Sequence, residues 1–496
     1  MKPRMSIHRR KQGRYDNVLL VSPPSSSYLG AARPPQNLGY LAESLLRSGV
    51  EPWILDMRLG YPLRDLLKTI QQVKPDLIGF SLVSLEYLKS YALIDRVKQF
   101  APSAHIVVGG PHVTVLQETV LEECASIDYG VVHEGEHTLV ELCEGHVPPD
   151  WIKGLIWRNR GADIVFNGHR EISRNLDAIP YPTYRGFEMK RYIREIPLNS
   201  SRGCPYQCVF CPNKMITKQY RWRSAGHVVD EIIHWYNAGY RVFNFDDDNM
   251  SLKRERVLEI CDRIETAGLQ DAEFRCSNGI RADRVDEELL KRMYEVGFRY
   301  IAFGVDGGNN KMLKANKKGE TIEQIESAVR NACEIGYDVK IFCILGMPHE
   351  TLEDVEDSLR FMQKFPVRRI ILNNPIPYPG TELFETVKAN GWFVKQPEEY
   401  LNHVTENVDE PVFVTPELDI FARRDILKRA RRIERTVTRR AVRTLYEKFF
   451  PFNHVLAWLF ATRFVENLFF KNHRFRQWME NIRYRRGRTG RRPTRT

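Results

Sequence analysis

Short runs of consecutive apolar residues alternate with amphipathic helical patterns over residues 17–145. Such apolar runs are typical of parallel strands buried on both faces of a sheet. Strands are predicted at Val18–Val21, Trp53–Leu55, Leu77–Leu82, His105–Val108 and Tyr129–Val132. Helices are predicted at Leu38–Ser48, Leu63–Val73 and Tyr87–Phe100. This pattern indicates an α/β, doubly wound, Rossmann-like domain, which binds ligands at the carboxyl ends of its strands.

A second strand–helix series runs from about residue 196 to residue 393. Its predicted strands are Ile196–Asn199, Val242–Phe245, Glu273–Cys276, Tyr300–Phe303, Lys340–Leu345 and Ile370–Asn373. Its predicted helices are Val228–Ala238, Arg254–Ala267, Glu287–Val296, Thr321–Ile335 and Leu352–Lys364. Six repeats predict a partial (β/α)6 barrel, with its chemistry at the strand carboxyl ends.

The remaining segments are placed by weaker patterns. Polar, proline-containing sequence between the two series predicts a hairpin and a linker. The predicted domains are a basic tail at 1–16, a doubly wound domain at 17–148, a hairpin and linker at 149–192, a partial barrel at 193–395, a helical region at 396–482 and a basic tail at 483–496.

The basic charge is concentrated in the C-terminal region. Residues 421–496 carry 22 Lys and Arg against 5 Asp and Glu, whereas the preceding residues carry 52 against 58. An apolar stripe interrupts this region, formed by Phe452, Leu456, Trp458, Leu459, Phe460, Phe464, Leu468 and Phe469. The stripe either packs on the barrel mouth as a substrate cap or lies in a membrane interface beside anionic lipid. A uniformly basic nucleic-acid binder is disfavoured, because only the final arginines support one.

Composition and cysteine usage indicate the class of protein and the compartment. With 43% hydrophobic and 28% charged residues, the chain is neither largely disordered nor a multi-span membrane protein. Its nine cysteines include one tight cluster and suit a reducing compartment. The basic start lacks a signal-peptide apolar core, and the longest uncharged runs are too short to span a bilayer. We therefore expect a cytoplasmic protein, with peripheral membrane contact left open by the C-terminal stripe.

Cys204, Cys208 and Cys211 form the motif C-x3-C-x2-C within RGCPYQCVFCPN, directly after a predicted strand. Three thiolates on one short loop can bind three irons of a 4Fe-4S cluster and leave the fourth iron open for an exchangeable ligand. The alternative is zinc, but a structural zinc site normally needs a fourth Cys or His. The spacing therefore favours an iron–sulfur site.

With Phe210 just before the last cysteine, this region resembles the radical S-adenosylmethionine (SAM) enzymes over about 200 residues. Segments similar to those of the family follow the later strands: FDDDNMS, CSNGIRAD, FGVDGG, CILGMPHET and NNPIPYPGTELF. The resemblance implies cofactor contacts from Phe210 and, for SAM, from Asp246, Asp247, Asn278, Arg281, Asp306 and Ile344. Asp306 stands where the family has Glu, and Ile344 would pack on adenine. The family's chemistry is one-electron cleavage of cluster-bound SAM to a 5'-deoxyadenosyl radical that removes a hydrogen atom from an unactivated carbon.

The N-terminal series is similar to the cobalamin-binding domain that precedes the radical SAM domain in a large subgroup. The similar segments are VSPPSSSYLGAARPPQNLGYLAESL, VVGGPHVT and YGVVHEGEHTLVEL. Gly109 and Gly110 would let the backbone approach cobalamin, and His112 is a cofactor-binding candidate with a hydrogen-bonding role as the alternative. Glu134 and Glu136 either cap a helix or contact the cofactor. The motif D-x-H-x-x-G, which supplies a cobalt-ligating histidine elsewhere, is absent, so cobalt is expected to lack that ligand.

The combined resemblance predicts a cobalamin-dependent methyltransferase that acts on an unactivated carbon of a lipid or natural-product-like small molecule. One SAM would remethylate cobalamin and a second would generate the radical, with electrons from a reductase, ferredoxin or flavodoxin. The first alternative is a rearranging or cyclising radical enzyme without methyl transfer. An RNA-modifying enzyme and a non-catalytic cluster-binding module remain as weaker alternatives. The catalytic acid or base is not predicted.

Overall fold

The structure is a computed structural model that describes residues 13–24, 32–217, 219–403, 410–445, 447, 450 and 452–460. The chain forms two compact units. The first contains Met1–Ser25, Pro34–Ser173 and Ala178–Met189, and the second contains Ser26–Arg33, Arg174–Asp177 and Lys190–Thr496.

The first unit is built around a mostly parallel sheet. Its strands are β1 (Val18–Ser22), β2 (Trp53–Asp56), β3 (Leu77–Ser81), β4 (His105–Gly109), β5 (Tyr129–Val131), β6 (Leu155–Arg158) and β7 (Ile164–Phe166). Its helices are α1 (Gln36–Arg47), α2 (Leu63–Val73), α3 (Tyr87–Phe100), α4 (Pro111–Leu116), α5 (Thr119–Glu123) and α6 (Glu136–Glu144). Within the described residues the strand order is β2-β1-β3-β4-β5-β6-β7.

The order of the parallel strands, 2-1-3-4-5, defines where a ligand crevice forms in this unit. The chain adds β2 on one side of β1 and then β3 on the other side, so the strand order reverses between β1 and β3. Open α/β sheets bind ligands outside the carboxyl ends of the strands at such a point. Leu20, Val107 and Val131 pack in one buried cluster with Leu45 and Leu142 from the covering helices. Buried apolar strands of this kind explain why the sequence pattern identified the sheet.

The second unit holds a parallel sheet in sequential order. Its strands are β8 (Ile196–Leu198), β9 (Ser201–Arg202), β10 (Arg221–Trp222), β11 (Val242–Phe245), β12 (Glu273–Ile280), β13 (Phe298–Gly304), β14 (Asp338–Ile344) and β15 (Arg369–Asn373). Its helices up to residue 402 are α7 (Asn213–Ile216), α8 (Ala225–Asn237), α9 (Arg254–Thr266), α10 (Glu287–Glu295), α11 (Asn310–Ala315), α12 (Ile322–Ile335), α13 (Leu352–Lys364), α14 (Glu382–Ala389) and α15 (Pro397–Asn402). Among the strands described, β8, β11, β12, β13, β14 and β15 are neighbours in that order, and β9 pairs with β10 in a separate antiparallel ribbon.

Alternation along the strands of this sheet separates a helix-covered face from an inner face. On β14, Val339, Ile341 and Cys343 are buried, whereas Lys340 and Phe342 are partly exposed. Side chains two residues apart on a strand share a face. The inner face of the partial barrel therefore carries Lys340 and Phe342, and the same reasoning places polar side chains of its neighbouring strands there.

A short segment between β1 and α1 belongs to the second unit. Ile193 donates its backbone N–H to the Ala32 carbonyl at 3.2 Å. The Arg33 guanidinium contacts Glu195 at 3.3 Å and Asp246 at 3.0 Å. Ala32 and Arg33 are thereby fixed against the start of β8 and the end of β11.

The C-terminal region contains α16 (Ile420–Leu445) and α17 (Phe452–Phe460), which contact one another, and α16 also packs on β15 and α13. Phe452 is 71% exposed and Trp458 is 58% exposed. Part of the predicted apolar stripe, Phe464, Leu468 and Phe469, lies outside the described residues, as do the side chains of Leu456 and Phe460. In the part of the chain that is described, no helix is both long and apolar enough to cross a lipid bilayer.

The predicted fold class is confirmed: a doubly wound α/β unit comes before a six-strand parallel partial barrel and a helical C-terminal region. The hairpin expected after residue 148 is present as β6 and β7, and it extends the first sheet because β6 pairs antiparallel with β5. The exact domain boundaries stay predictions. Strand β12 runs to Ile280, four residues beyond the predicted end, so that Ser277 and Asn278 lie within it.

Candidate active site at the cysteine loop

The loop that carries the three cysteines is closed at its base by the β9–β10 ribbon. Ser201 pairs with Trp222 and Arg202 with Arg221 across this ribbon. Gly203, with φ of 85°, begins the loop, and a Cβ atom there would lie 2.4 Å from the Gln219 carbonyl oxygen. Only glycine fits this position, because the backbone of residue 219 cannot retreat without opening the loop.

Three consecutive aspartates after β11 hold both the loop and the strand before it. Asp247 is buried and accepts hydrogen bonds from Ser200 N (3.1 Å), Ser200 Oγ (2.7 Å) and Ser201 Oγ. Asp248 accepts from Gly203 N at 3.1 Å and from Asn213 Nδ2 at 2.7 Å, on either side of the cysteines. In this structure Asp247 and Asp248 position the cysteine loop.

The first of the three aspartates has a different environment. Asp246 contacts Arg33 at 3.0 Å and accepts a hydrogen bond from Asn244. Burial raises the pKa of Asp246 to about 6, against the opposing effect of Arg33. Asn278, on β12, donates to the backbone carbonyls of Asp246 (3.3 Å) and Asp247 (3.0 Å). Asp246 and Asn278, two predicted SAM contacts, therefore lie together at the ends of adjacent strands.

Burial and nearby charges act in opposite directions on the three thiols. Burial raises the pKa of Cys204, Cys208 and Cys211, in the last case to about 12. Lys318 and Arg281 lower the pKa of Cys208, whereas Cys204 raises it, so that Cys204 and Cys208 lie close enough to repel one another as thiolates. Cationic neighbours favour the thiolate, the form that ligates metal. Phe210 lies between Cys208 and Cys211 and is partly buried.

Arg281 and Asp306, two further predicted SAM contacts, are engaged by the chain itself. Arg281 donates to the carbonyls of Lys318 (2.7 Å) and Gly319 (3.0 Å), and its guanidinium lies 3.4 Å from the Tyr206 ring centroid. Asp306, with φ of 54°, contacts Lys318 Nζ at 2.6 Å. The two residues hold the segment around Lys318 against the cysteine loop.

Ile344, the predicted adenine contact, is buried and ends β14 just before a loop that Glu350 and Arg423 fix from two sides. Glu350 accepts hydrogen bonds from the Met347 N–H at 2.8 Å and the Gly346 N–H at 2.5 Å. Arg423, on α16, donates to the Gly346 carbonyl and lies 4.0 Å from the Phe413 ring centroid. The loop after β14 is therefore held by a helix that begins about 70 residues later in the chain.

In the first unit, Gly109 and Gly110 join β4 to α4. Gly110 has φ of 104°, and a Cβ atom there would lie 2.6 Å from the Leu82 carbonyl oxygen. A Cβ on Gly109 would meet nothing closer than 3.6 Å. Glycine is therefore required at position 110 by the backbone of the neighbouring strand end.

His112 is the second residue of α4 and not a loop residue. Its side chain is buried, its Nε2 lies 2.9 Å from Tyr91 Oη and its Nδ1 lies 3.2 Å from Ser84 Oγ. The Tyr87 ring stacks on it at 4.8 Å, and burial lowers the pKa of His112 to about 4. Both ring nitrogens are thus engaged inside the first unit. Glu136 is the first residue of α6, where a carboxylate suits the helix N-terminus.

Two family models match the chain, one in each unit. Residues 29–143 match the B12 binding domain and residues 198–362 match the Radical SAM superfamily. A Pyrococcus horikoshii protein named an uncharacterized methyltransferase is 32% identical over 391 residues, which cover 75% of this chain and 83% of the relative. The chain belongs to the cobalamin-dependent radical SAM methyltransferase family.

Other relatives are less similar to the chain in sequence. An anaerobic magnesium-protoporphyrin IX monomethyl ester cyclase of Cereibacter sphaeroides is 27% identical, and the match covers 72% of this chain and 60% of the cyclase. A solved structure of the radical SAM methyltransferase TsrM of Kitasatospora setae, with cobalamin and a 4Fe-4S cluster bound, superposes with a TM-score of 0.65. It is 18% identical and covers 83% of this chain and 90% of TsrM, so it demonstrates the shared fold alone.

The family uses a 4Fe-4S cluster, SAM and cobalamin, and the donor set around the cysteines suits such a cluster. Within the residues that the structure describes, no three Cys, His, Asp or Glu side chains converge on the position of a single metal ion. The Asn249 side chain is buried beside Cys204, whose pKa it lowers as a hydrogen-bonding neighbour, and it has no partner other than this thiol among the described residues. A buried amide that could donate to a thiolate sulfur fits a cluster at this loop.

Several residues that shape this radical SAM site were not identified from the sequence. Asp248 belonged to a recognised acidic segment, but nothing distinguished its role from that of Asp247. Lys318 lies in the run NKKG, which has no motif character, and Arg423 is one of many arginines in a basic helix. Glu350 lies within CILGMPHET, and an acidic residue in the turn between a predicted strand and a predicted helix was a usable signal.

Burial of Glu350 gives a prediction for the pH dependence of the enzyme's stability. Burial raises the pKa of Glu350 to about 7; Arg423 lowers it and Asp354 raises it. Because the folded-state pKa is the higher one, the stability that this group contributes is complete below pH about 4.5 and is lost as the pH rises through about 7. The wild type should lose up to about 3 kcal/mol of unfolding free energy over this range through Glu350, and Glu350→Gln should not.

Urea unfolding of both proteins at pH 5 and pH 8 measures this difference. Glu353→Gln is the matched control, because Glu353 lies three residues further along the chain and is exposed on the first turn of α13. It should follow the wild type at both pH values. Parallel pH profiles for the wild type and Glu350→Gln would show that the carboxyl group is already ionised at pH 5.

Gly110→Ala should destabilise the first unit and lower its cobalamin uptake. The new Cβ would lie 2.6 Å from the Leu82 carbonyl oxygen, at a φ that L-residues rarely adopt. Such a substitution costs more than about 1 kcal/mol. Gly109→Ala is the matched control, because its Cβ has ordinary contacts. Gly110→Ala should bind less cobalamin per chain and unfold at a lower temperature than Gly109→Ala. Equal values for the two variants would mean that the backbone before α4 can shift to accommodate the new Cβ.

Proposed function

We propose that this methyltransferase transfers a methyl group to an unactivated carbon of a small molecule of lipid or polycyclic natural-product type. The observation that carries the proposal is the presence, on one chain, of a cysteine loop in a radical SAM barrel and a separate unit that matches the B12 binding domain. Two cofactors of this kind suit a reaction in which a carbon is both activated and methylated.

Cys204, Cys208 and Cys211 are the proposed cluster ligands. The family's cofactors, when bound, supply one-electron cleavage of SAM and a transferable methyl group. The chain keeps the loop in place through Asp247 and Asp248, and Lys318 and Arg281 favour the thiolate form of Cys208. These contacts fix the loop and favour the ionised form of one thiol, which supports the role of the three cysteines as cluster ligands.

The proposed SAM contacts divide into two groups by their hydrogen bonds. Asp246, Asn278 and Ile344 lie at strand ends on the side of the cysteine loop and are the proposed direct contacts. Arg281 and Asp306 are held by Lys318, and we assign them a positioning role. For cobalamin, the proposed contacts are the backbone at Gly109 and Gly110, while His112 supports α4 through its hydrogen bonds.

Ring formation or rearrangement without methyl transfer is the second candidate. The match to a magnesium-protoporphyrin cyclase favours it specifically, since that protein resembles this chain over both units. An RNA-modifying activity and a non-catalytic cluster-binding module stay as less supported alternatives.

The proposed partners are a small-molecule substrate and a reductase, ferredoxin or flavodoxin that delivers electrons. The exposed Phe452 and Trp458 on α17, close to the arginine-rich α16, support peripheral contact with anionic lipid. A substrate cap formed by residues of the same stripe is the other use of this surface. Vesicle flotation with and without anionic lipid separates the two.

The test uses reconstituted holoenzyme, a chemical reductant, a small-molecule extract and SAM that carries a trideuterated methyl group. Methyl transfer predicts a trideuteromethylated product, with S-adenosylhomocysteine and 5'-deoxyadenosine in equal amounts. Formation of 5'-deoxyadenosine with an unlabelled altered product would support the cyclising alternative. Neither nucleoside product would mean that the chain only binds its cofactors.

A further inference from the structure

Two cations face each other across adjacent strands on the inner face of the barrel. Lys340 on β14 pairs in register with Arg369, the first residue of β15. Neither has a carboxylate partner within salt-bridge distance among the described residues. Like charges directly opposite one another destabilise a sheet. Arg369 is exposed and Lys340 is half-buried, so solvent can reach the pair, and an anion bound there would relieve the repulsion between the two cations.

The lysine side chain runs across the sheet and not out of the barrel. Its Nζ donates to the Ser277 carbonyl at 2.6 Å, on β12, which is two strands away. Ala302, its register partner on the intervening β13, is fully buried and is small enough to let the stem cross. The Nζ also lies 4.3 Å from the Phe342 ring centroid and 5.6 Å from that of Tyr300. An ammonium group has three N–H donors, so the bond to Ser277 leaves N–H groups that can bind a ligand beside these rings.

The charges around Lys340 also show that its positive charge is not compensated. Burial, Arg369 and Arg33 lower the pKa of Lys340 to about 7, and Asp246 raises it. Asp246 is already engaged by Arg33 at 3.0 Å. A bound anion would return the amine to its charged form.

Beyond Lys340 and Arg369, towards the carboxyl ends of the strands, the inner face of the barrel becomes apolar. The next inner-face positions are Phe342 on β14 and Ile371 on β15, which are register partners. Ile344 follows at the end of β14, four residues after Lys340, or about 13 Å along a strand. A molecule that is anchored at the cations would therefore run past apolar side chains towards the strand ends.

We propose that Lys340 and Arg369 bind an anionic group of the substrate, a carboxylate or a phosphate, inside the barrel. This rests on the proposed function, and it refines the substrate class to an amphipathic acid whose apolar part points to the strand carboxyl ends. The same two cations could instead receive the carboxylate of SAM, which the experiment distinguishes.

The test measures acetylation of Lys340 in reconstituted holoenzyme near pH 7 by peptide mass spectrometry. The probes are hexanoate, the uncharged hexanamide, and SAM. Hexanoate should slow acetylation about five-fold when present at four times its Kd, and hexanamide should not. Arg369→Met should abolish the protection, whereas Arg369→Lys should retain it. In Arg360→Met, which removes an exposed surface arginine, hexanoate should slow acetylation of Lys340 as much as it does in the wild type.

Equal protection by hexanoate and hexanamide, or protection by neither, would overturn the proposal. If SAM without hexanoate slows acetylation of Lys340 as much as hexanoate does, the proposal would be overturned too, because the two cations would then bind the cofactor. The measurement needs no turnover, so its outcome is independent of the trideuteromethyl assay. A negative methyl-transfer result with hexanoate protection intact would reject methyl transfer and keep the acid-binding site.

Discussion

Replacing Cys204, Cys208 and Cys211 together with alanine is expected to remove essentially all iron from the reconstituted enzyme and to leave its cobalamin in place. The thiols belong to the second unit, whereas the proposed cobalamin contacts belong to the first. Three thiolates are the protein ligands of such a cluster, so their loss leaves no anchor. Iron, cobalt and cobalamin analysis after anaerobic reconstitution measures the result, and SAM cleavage to 5'-deoxyadenosine should fall below detection.

Cys333→Ala is the matched control, because Cys333 lies on α12 and is partly buried like the loop cysteines. It should bind about four irons, as the wild type should. Retention of iron by the triple variant would mean that other residues hold the metal. Loss of cobalamin along with iron would mean that the variant has not folded.

Asp247→Ala is expected to have the largest effect on stability among single substitutions around the loop. It removes a buried carboxylate that accepts three hydrogen bonds, from Ser200 N, Ser200 Oγ and Ser201 Oγ. Each buried donor left without a partner costs about 1–3 kcal/mol, so a loss of about 3–5 kcal/mol is expected. The loop should also take up iron more slowly, because the strand before it is no longer fixed.

Urea unfolding and the rate of iron incorporation measure these effects. Asp271→Ala is the control, because Asp271 is exposed and its ion pair with Arg241 should contribute less than about 1 kcal/mol. A loss below about 1 kcal/mol for Asp247→Ala would mean that water replaces the carboxylate at the two serines. Asp247→Asn should fall between, because an amide oxygen still accepts but carries no charge.

The sequence predicted both sheets and the cysteine loop because each of these features depends on residues that are close together in the chain. Buried parallel strands are continuous apolar runs, and three cysteines within eight residues are visible without a structure. The end of β12 was placed too early, because Ser277 and Asn278 are consecutive polar residues, a pattern that does not distinguish the end of a strand from the loop after it. The β9–β10 ribbon was missed because two-residue strands carry no periodicity.

The contacts that fix the site depend on residues far apart in the chain. Arg423 reaches the Gly346 carbonyl from a helix whose other arginines are exposed or half-buried, and no local pattern distinguishes it. Lys340 was included in a predicted strand, but its significance appears only with Arg369 beside it. Topology decides which charged side chains from distant parts of the chain become neighbours. Such pairs can therefore be identified only once strand order and register are known.

The position of Ala32 and Arg33 has a consequence for synthesis on the ribosome. Arg33 precedes its partners Glu195 and Asp246 by 162 and 213 residues. At about 5–20 residues per second, the first of those partners emerges roughly 10 to 30 s later. The doubly wound unit can form during that delay, before Glu195 and Asp246 have been synthesised. An N-terminal fragment of this enzyme that ends before residue 195 therefore contains Arg33 but neither of the two carboxylates that it contacts, so these ion pairs can form only after the two fragments associate.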